Sequence, residues 1–545
     1  MNGAAVEPKF ATLDAMLDAA AHSGRSLIFV GRDETDQPVA MDEIRRRARA
    51  VAAGLHNHGV AQGDRVALVL PTSPDFVTCF FGVLLAGAIP VPLYPPVRLG
   101  KLAEYHHRTA AMLQAVQAAL VVTDDRISPA LQAPVAEAAP RLGCVTAGEL
   151  DGRDAPQFTA RPDDIAVIQF SSGTTHDPKP VALTHANLLS NLAAIGDYFT
   201  HAGMTDVVGV TWLPLYHDMG LIGNLLSAFY LPCTLVLLAP ELFLAVPSAW
   251  LRAISRHRGT VTAAPNFAFG LCLKRIRDDE LDGVDLSSWT LCLNGAEMVS
   301  AELASRFAER FGQWGFQASA MTPVYGLAEA SLAVTFKPAG TPLRTLDGRV
   351  SVGRPLAGVE IEIRDDESQA LPADHTGRIL VRAPSVMAGY FGRPDLTDAT
   401  LHDGWLDCGD LGFVHDGELF VTGRSKDTIV IRGANHAPQD FEAALDGLVG
   451  VRTGCAVAVG YLPDDSGEEA LALLVETTPG APPDLARDIE ARVLQRTGIA
   501  VSHVALVEPG SLPRTSSGKL RRLDARAQWL AGTLPQASVS GGTLC

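Results

Sequence analysis

The stretch from Ile165 to Asn187 reads IAVIQFSSGTTHDPKPVALTHAN. It joins an apolar run, Ile165–Phe170, to a loop rich in Ser, Thr and Gly, and then to a capping sequence that begins at Thr184. The run predicts a buried strand, and Thr184 predicts a helix start. Such a loop with the single Lys179 can wrap phosphates, although an ordinary polar turn has the same composition. It is not a Walker loop, because the Gly-Lys-Ser/Thr ending is absent.

Outside this stretch, short β-branched runs alternate with amphipathic segments. The segments Met41–Asn57 and Ala301–Phe311 have helical spacing, and the apolar runs lie at 65–70, 119–123, 234–238 and 289–294. This alternation predicts an α/β fold with layers around a mainly parallel sheet.

The pattern changes twice toward the end of the chain. From about residue 350, short strands and tight turns at 359–364, 377–382 and 412–423 predict a β-rich subdomain. After Arg424, strands near 456–461, 470–476 and 502–507 predict a small α+β unit. We therefore expect an N-terminal domain over 1–424, with the β-rich subdomain at about 350–424, a C-terminal domain over 425–531 and a flexible tail over 532–545.

Charge and composition narrow the class of protein. The 545 residues carry 44 Lys and Arg against 61 Asp and Glu, a net charge of −17. Because neutralising phosphates takes clustered Lys and Arg, we expect neither nucleic acid nor an anionic membrane surface as the main partner. The apolar stretch 76–93 contains two Gly and two Pro, so it predicts a buried helix and strand instead of a membrane span. The eight cysteines are scattered and no N-terminal signal is evident, so we expect a cytoplasmic enzyme.

Five further motifs follow in order. They are WLPLYHDMGLIG at 212–223, NGAE at 294–297, YGLAE at 325–329, GWLDCGDLG at 404–412 with VTGRSKD at 421–427, and PRTSSGK at 513–519. In this order and spacing the chain resembles, over nearly its whole length, the adenylate-forming superfamily of acyl-CoA synthetases, luciferases and peptide-synthetase adenylation domains. The strings YHDMG, YGLAEA and IRGANHAPQD, the last at 431–440, most resemble the fatty acyl-AMP ligases.

The resemblance implies the adenylate-forming fold, with a mobile C-terminal domain, and an acid-activating ligase. Such enzymes join a carboxylate to the α-phosphorus of ATP, release pyrophosphate and pass the acyl group to the phosphopantetheine thiol of a carrier protein. Catalysis there consists of positioning and of neutralising developing charge. ATP and Mg²⁺ are the implied cofactors and a fatty acid is the implied substrate. An acyl carrier protein would act in trans, because only the tail from Gly532 follows the last predicted helix.

The resemblance also implies catalytic roles. Glu329 would ligate Mg²⁺, a hard cation that prefers oxygen ligands, and His217 would lie near the substrate carboxylate. Lys519 would bridge that carboxylate and the α-phosphate. Lys426 would be the hinge about which the C-terminal domain rotates for the transfer step.

The nucleotide would be bound by residues from several motifs. Asp410 would accept hydrogen bonds from the ribose hydroxyls, with support from Arg424. The phosphate loop would contribute Thr174, Thr175 and Lys179, and the adenine side would be formed by Asn294, Gly295, Ala296, Glu297, Tyr325 and Gly326.

Taken singly, these residues have ordinary interpretations. A lysine in Ser-Ser-Gly-Lys is usually exposed on the surface, Asp410 is a typical turn residue, and His217 is compatible with a core or capping histidine. Phe267, Phe269 and the apolar segment 221–231 could line a fatty-acid tunnel or belong to the core.

Two departures from the family pattern bear on function. The phosphate loop has His176 and Pro180 where Gly is usual, and neither residue gives the backbone freedom of Gly, so we expect slower adenylation or another loop path. The long insertion typical of fatty acyl-AMP ligases is replaced by residues 337–349, which predict an ordinary loop. The acceptor is therefore open between a carrier protein, which we favour, and coenzyme A. The motifs are also compatible with an aryl acid as substrate and with a non-catalytic adenylate-binding homologue.

Overall fold

The computed structural model describes residues 4–96, 102–153, 158–171, 179–431, 434–463, 469–515 and 519–537. Within these residues the largest sheet has nine strands, six parallel in the middle and antiparallel ones at both edges. Central parallel strands are covered on both faces, so they are continuous apolar runs in the sequence. The order across the sheet is Arg354–Pro355, Ala333–Phe336, Met321–Gly326, Leu291–Asn294, Val261–Ala264, Val208–Thr211, Thr234–Leu238, Ser26–Val30 and Asp36–Ala40.

Two smaller sheets are formed by other strands before residue 391. A parallel sheet has the order Ile89–Pro92, Arg65–Leu68, Leu120–Thr123 and Cys144–Thr146. An antiparallel sheet has the order Gly389–Tyr390, Pro180–Thr184 and Ile165–Phe170. The second sheet holds the two strands that flank the candidate phosphate loop, of which the opening stretch predicts the first, Ile165–Phe170.

Helices cover the faces of these sheets. At Thr184 and Asn187 the side chains and backbone form a capping box, which confirms the predicted helix start. The stretch 76–93 is a buried helix followed by a strand, as predicted, and no helix of the described residues is long and apolar enough to cross a membrane. The helices before residue 400 are Leu13–Ala21, Met41–Asn57, Pro74–Leu85, Leu102–Ala115, Ser128–Ala138, His185–His201, Ser227–Tyr230, Pro240–Ala245, Ser248–His257, Asn266–Arg275, Ala301–Phe311 and Pro394–Asp398, with a π-helix at Met219–Leu226.

The short strands after residue 350 form an antiparallel sheet. Its strands are Glu360–Arg364, Gly377–Arg382, Trp405–His415, Leu401–His402 and Glu418–Arg424. The predicted hairpin turns at Asp416 and Gly417, whose φ angles are +50° and +77°. Two consecutive positive φ values give a turn whose twist matches that of the flanking strands.

The C-terminal part is a three-stranded sheet covered by helices. Val451–Tyr461 pairs antiparallel with Ala470–Thr477, which pairs parallel with His503–Val507. Alternate residues of these strands enter two separate apolar clusters, one on each face. The helices are Pro438–Ala443, Leu485–Thr497 and Arg522–Leu530, and a small hairpin pairs Ile429–Ile431 with Ala434–His436.

The short segment 337–349 is more structured than the expected loop. It contains a hairpin of Thr345–Leu346 with Arg349–Val350. Lys337 is 2% exposed, and its Nζ donates to the carbonyl oxygens of Pro338 and Thr341. Burial lowers the pKa of Lys337 to about 8. A buried lysine held by carbonyl groups has no sequence signature, because most lysines are exposed.

Candidate active site

A cavity of about 1910 Å³ lies at the carboxyl ends of the parallel strands. In open α/β sheets this edge is where ligands bind, because the loops that leave the strands meet there. The cavity is lined from the N-terminal region, the β-rich strands and the C-terminal region together. The predicted site residues that line it are Lys179, His217, Ala296, Glu297, Tyr325, Gly326, Glu329, Asp410, Arg424, Lys426 and Lys519.

Two predicted residues of the described part, Asn294 and Gly295, are not in this lining. Thr174 and Thr175 lie outside the described residues, as does His176. Asn294 is 1% exposed and ends a central strand, with its Nδ2 3.5 Å from Oδ1 of Asn266. A Cβ on Gly295 would lie 2.6 Å from Cγ2 of Val324, so this glycine allows close packing behind the cavity wall.

Asp410 is held between Tyr325 and Arg424. The Tyr325 hydroxyl donates to Oδ2 of Asp410 at 2.7 Å, and Nε of Arg424 lies 3.1 Å from Oδ1. Asp410 and Arg424 are paired directly across the hairpin strands, which explains why residues 14 positions apart share one contact. Burial and the nearby Asp410 raise the pKa of Tyr325 well above its ordinary value, so the hydroxyl keeps its proton and acts as a donor. The carboxylate is thereby oriented at the cavity wall.

Glu329 lies on a constrained turn. The residue Ser331 after this turn has a φ of +65°, is fully buried, and donates from Oγ to the Ser385 carbonyl at 2.7 Å. The Met387 amide donates to the Glu329 carbonyl at 2.8 Å. A non-glycine residue in this region of φ persists only when its surroundings hold it. The backbone that carries the Glu329 carboxylate is therefore fixed from two sides.

Tyr390 connects Glu329 to Lys179 and was not predicted from the sequence. Its hydroxyl donates to Oε1 of Glu329 at 2.9 Å and accepts from Nζ of Lys179 at 3.4 Å. The same Nζ lies 4.9 Å from the centre of the Tyr390 ring, a cation–π distance. Burial lowers the pKa of Lys179 and the charge of Glu329 opposes this shift. Nothing in the string Gly389-Tyr390 signals this role, because it depends on two distant segments.

Pro180, one of the two departures, occupies the first residue of its strand. It pairs with Phe170, and its carbonyl accepts from the Phe391 amide at 2.8 Å. Proline is tolerated at the first residue of a strand, where its missing N–H removes no ladder bond. The strand is therefore compatible with Pro180, while the loop before it lies outside the described part of the chain.

His217 and Asp218 form a buried pair. Nδ1 of His217 lies 2.6 Å from Oδ1 of Asp218, and the same oxygen accepts from the Met219 amide at 2.7 Å, at the start of the π-helix. Burial alone would raise the pKa of Asp218, but His217 and the charge of Lys519 hold it below its ordinary value. Nε2 of His217 is buried at the cavity and has no hydrogen-bond partner among the described residues. It is therefore the atom left for a ligand. Asp218 was not singled out from the sequence.

Lys519 extends from the C-terminal region into the cavity. Its backbone is bonded to Thr515, because its amide donates to Oγ1 of Thr515 at 3.0 Å and its carbonyl accepts from the Thr515 amide at 2.8 Å. Burial lowers the pKa of Lys519, while the charges of Asp218, Glu297 and Asp410 oppose this shift. The amine is thus within electrostatic reach of three carboxylates that line the cavity.

Ion pairs between described residues join the C-terminal region to the rest of the chain, among them the following two. Nη1 of Arg521 lies 3.5 Å from Oε1 of Glu104, and Nη2 of Arg349 lies 2.6 Å from Oδ2 of Asp440. Glu104 and Asp440 are substantially exposed. Lys426, the predicted hinge residue, is exposed in a 3₁₀ turn, Ser425–Asp427, just after the last strand of the β-rich sheet.

Part of the cavity wall is apolar. Trp212 stacks on Phe243 with ring centres 4.0 Å apart and contacts Phe267 edge-on at 5.9 Å. Phe267 lines the cavity as one interpretation proposed, whereas Phe269 is fully buried against Trp250 and Phe307 in the core. The segment 221–231 is largely buried, with Gly223 contributing to the wall. Ile195, Phe199 and Phe336 are further apolar side chains of the cavity lining and belong to a separate apolar cluster.

Comparison with known proteins agrees with the geometry of the cavity. The family model described as AMP-binding enzyme matches residues 18–391. A putative acyl-CoA synthetase of Caulobacter vibrioides is 35% identical, over 96% of this chain and 96% of its own. A medium-chain-fatty-acid–[acyl-carrier-protein] ligase of Moorena producens is 32% identical, over 97% of each chain.

A solved structure from a study of fatty acyl-adenylate ligases from E. coli and L. pneumophila superposes with a TM-score of 0.89. It is 33% identical and covers 96% of this chain and 98% of its own. The predicted adenylate-forming fold is confirmed by this likeness.

Proposed function

This chain belongs to the AMP-binding enzyme family, and on that premise we propose that it is a fatty acyl-AMP ligase. Relatives compared above are named as ligases that activate acids. It joins a fatty acid to the AMP portion of ATP and releases pyrophosphate. It then passes the acyl group to the phosphopantetheine thiol of an acyl carrier protein acting in trans.

The observation that carries this proposal is one cavity that receives Lys519 from the C-terminal region. The same cavity is lined by the His217–Asp218 pair and by Glu329 and Lys179, which the Tyr390 hydroxyl joins from behind the wall. These charges surround one space in the way that joining two anions requires, since a carboxylate and a triphosphate repel each other in the absence of positive groups.

Glu329 fits a Mg²⁺ ion that is shared with the nucleotide. No three His, Cys, Asp or Glu side chains of the described ranges gather closely enough to hold a metal ion by themselves. Mg²⁺ is commonly held by one or two carboxylates together with substrate phosphates and water, which a single cavity carboxylate matches. When bound there, the ion neutralises phosphate charge and so helps pyrophosphate to leave. Lys179 supports the same phosphates as a point charge.

In the adenylation step the fatty-acid carboxylate attacks the α-phosphorus and the bond to pyrophosphate breaks. Lys519 holds the carboxylate and the α-phosphate together, and Nε2 of His217 is the buried nitrogen available to the acyl oxygen. Asp410, oriented by Tyr325 and Arg424, binds the ribose hydroxyls. Holding both reactants in line is the main source of rate in such a reaction.

The apolar wall of Trp212 and Phe267 suits the alkyl chain of the acid. Each methylene buried there contributes about 0.8 kcal/mol, so a longer chain that still fits binds more tightly. A fatty acid gains more from this wall than a short acid does, so the dependence of activity on chain length tests the assignment.

For the transfer step Lys519 has to leave the cavity, and we assign the hinge to Lys426. The two ion pairs across the interface, Arg521–Glu104 and Arg349–Asp440, have to break. Because each contains a partly exposed carboxylate, each contributes about 0–1 kcal/mol and opposes the rotation only weakly.

The acceptor is the point at which a second function competes. One relative is called an acyl-carrier-protein ligase and another a putative acyl-CoA synthetase, at similar identity. The feature of this chain that favours coenzyme A is the short segment 337–349, because it replaces the long insertion typical of fatty acyl-AMP ligases. A non-catalytic adenylate-binding role has no observation in its favour beyond His176 and Pro180.

The test is mass spectrometry of the products formed from Mg-ATP and a panel of fatty and aryl acids. Each acid is incubated alone, with coenzyme A, and with a phosphopantetheinylated carrier protein. Acyl-AMP that persists with coenzyme A and is consumed by the carrier protein is the expected result. Acyl-CoA as the product would make the chain a CoA synthetase. Absence of acyl-AMP and acyl-CoA with every acid would refute the activation itself.

A further inference from the structure

Tyr390 lies behind the cavity wall, where it joins the two groups that we assign to Mg-ATP. It is 4% exposed and is not among the side chains that line the cavity. Its hydroxyl donates to Glu329 and accepts from Lys179, so one oxygen carries the carboxylate on one side and the ammonium on the other. Lys179 and Glu329 share this hydroxyl instead of meeting in a direct ion pair.

The backbone around Tyr390 fixes this geometry. The Tyr390 amide donates to Oγ1 of Thr397 at 2.9 Å, and Tyr390 pairs with Val181 in the strand that follows the phosphate loop. The neighbouring Phe391 amide bonds to Pro180, and Met387 bonds to the backbone of Glu329. The segment therefore ties the Glu329 turn to the exit of the phosphate loop.

We propose that Tyr390 is a positioning residue that keeps Glu329 and Lys179 apart and oriented for Mg-ATP. This rests on the proposed function, which places the metal at Glu329 and the phosphates at Lys179. The opposite charges of Glu329 and Lys179 attract each other. A direct ion pair between them would have to break before the metal and the phosphates could bind. The hydroxyl takes one oxygen of Glu329 and holds the ammonium over the ring, so the other carboxylate oxygen remains for the metal.

The variant Tyr390→Phe removes the hydroxyl and keeps the ring. Tyr198→Phe is the matched control, because the Tyr198 hydroxyl is partly buried and donates to the Lys337 carbonyl at 2.6 Å, and neither residue is among those that line the cavity. Binding of a non-hydrolysable ATP analogue is measured by calorimetry for each protein, once with Mg²⁺ and once with EDTA. The ratio of the two affinities is the gain due to the metal, and it requires no turnover.

We expect Tyr390→Phe to lose about tenfold of this gain, as for a lost hydrogen bond to a charged group, and Tyr198→Phe to keep it. In a Glu329→Gln background Tyr390→Phe should change the gain little, since it acts through that carboxylate. An unchanged gain in Tyr390→Phe, or full additivity with Glu329→Gln, would overturn the inference. An equal loss of affinity with and without Mg²⁺ would also overturn it, because it indicates a merely structural role.

Failure of the proposed function is distinguishable from failure of this inference. If the wild type binds Mg-ATP and forms no acyl-AMP with any acid, the function fails, and the calorimetric comparison still decides the role of Tyr390. If the wild type forms acyl-AMP and Tyr390→Phe keeps the full metal gain and the wild-type KM for Mg-ATP, only the inference fails.

Discussion

Removal of the Lys519 amine is the most direct perturbation of the proposed chemistry. The amine enters a cavity where Asp218, Glu297 and Asp410 are its opposing charges. In Lys519→Ala these carboxylates would face the incoming acid and phosphates without that compensation. Two charge-assisted hydrogen bonds, to the carboxylate and to the α-phosphate, would be lost in the transition state.

The expected loss follows from these two bonds. A hydrogen bond to a charged group contributes about 1.5–3 kcal/mol, and the partial exposure of Lys519 reduces the sum to about 3–4 kcal/mol. This corresponds to a decrease of about 10²–10³-fold in the rate of acyl-AMP formation. The fold should remain intact, because Lys519 lines a cavity and its removal leaves no gap in an apolar core.

The assay separates the two half-reactions. Pyrophosphate release reports adenylation, and loss of purified acyl-AMP to the acceptor thiol reports transfer. Lys519→Ala should slow the first and leave the second near the wild-type rate. Lys426→Ala, at the predicted hinge, is the matched lysine variant and should show the opposite pattern. Full adenylation activity in Lys519→Ala, or an equal loss in both half-reactions, would refute the reasoning.

Three further predictions test other groups. Asp410→Asn leaves a single acceptor oxygen between Tyr325 and Arg424, so the affinity for ATP should fall by about 10–100-fold in fluorescence titration, and unchanged affinity would contradict the ribose role. Lys519 acts when protonated and burial lowers its pKa, so the rate of adenylation should begin to fall at a pH below the ordinary pKa of lysine. Lys519→Arg should be slower and should not show this fall, because arginine stays protonated. An identical pH profile in that variant would count against the assignment. Nδ1 of His185 accepts from the Leu13 amide at 3.0 Å, and burial lowers the pKa of His185 to about 4 from 6.5. Its contribution to stability is therefore present above pH 6.5 and lost as the pH falls toward 4, and the difference of about 2.5 in pKa corresponds to about 3 kcal/mol. In thermal melts the stability of the wild type relative to His185→Gln should decrease over that pH window. A pH-independent difference between the two proteins would contradict this account.

Much of the fold follows from local sequence. The helices Met41–Asn57 and Ala301–Phe311 begin and end where their spacing predicts, because amphipathic periodicity depends only on neighbouring residues. The hairpin at Asp416-Gly417 and the cap at Thr184 are equally local. Strand order is different: Ser26–Val30 lies beside Thr234–Leu238, and no local rule pairs segments so far apart.

The candidate site divides in the same way. Lys519, Glu329, His217 and Asp410 were predicted because each lies in a motif whose order along the chain is informative. Tyr390 and Asp218 were missed, since their importance depends on contacts with Lys179 and Glu329 in one case and with His217 and the π-helix in the other. Phe267 and Phe269 are two residues apart, yet only the first lines the cavity, because the two side chains leave the helix in different directions.

The sequence by itself determined the α/β layers, through the periodicity of its apolar residues, and the resemblance of its ordered motifs to a known family implied the family and most of the residues that we assign to chemistry. Only the tertiary structure decided which of these residues meet. It brings Lys519 into the cavity, assigns Asn294 and Gly295 to the packing behind its wall, and holds Glu329 and Lys179 to one hydroxyl. Contacts between distant segments are decided by the packing of whole sheets and domains, and no local pattern encodes that packing.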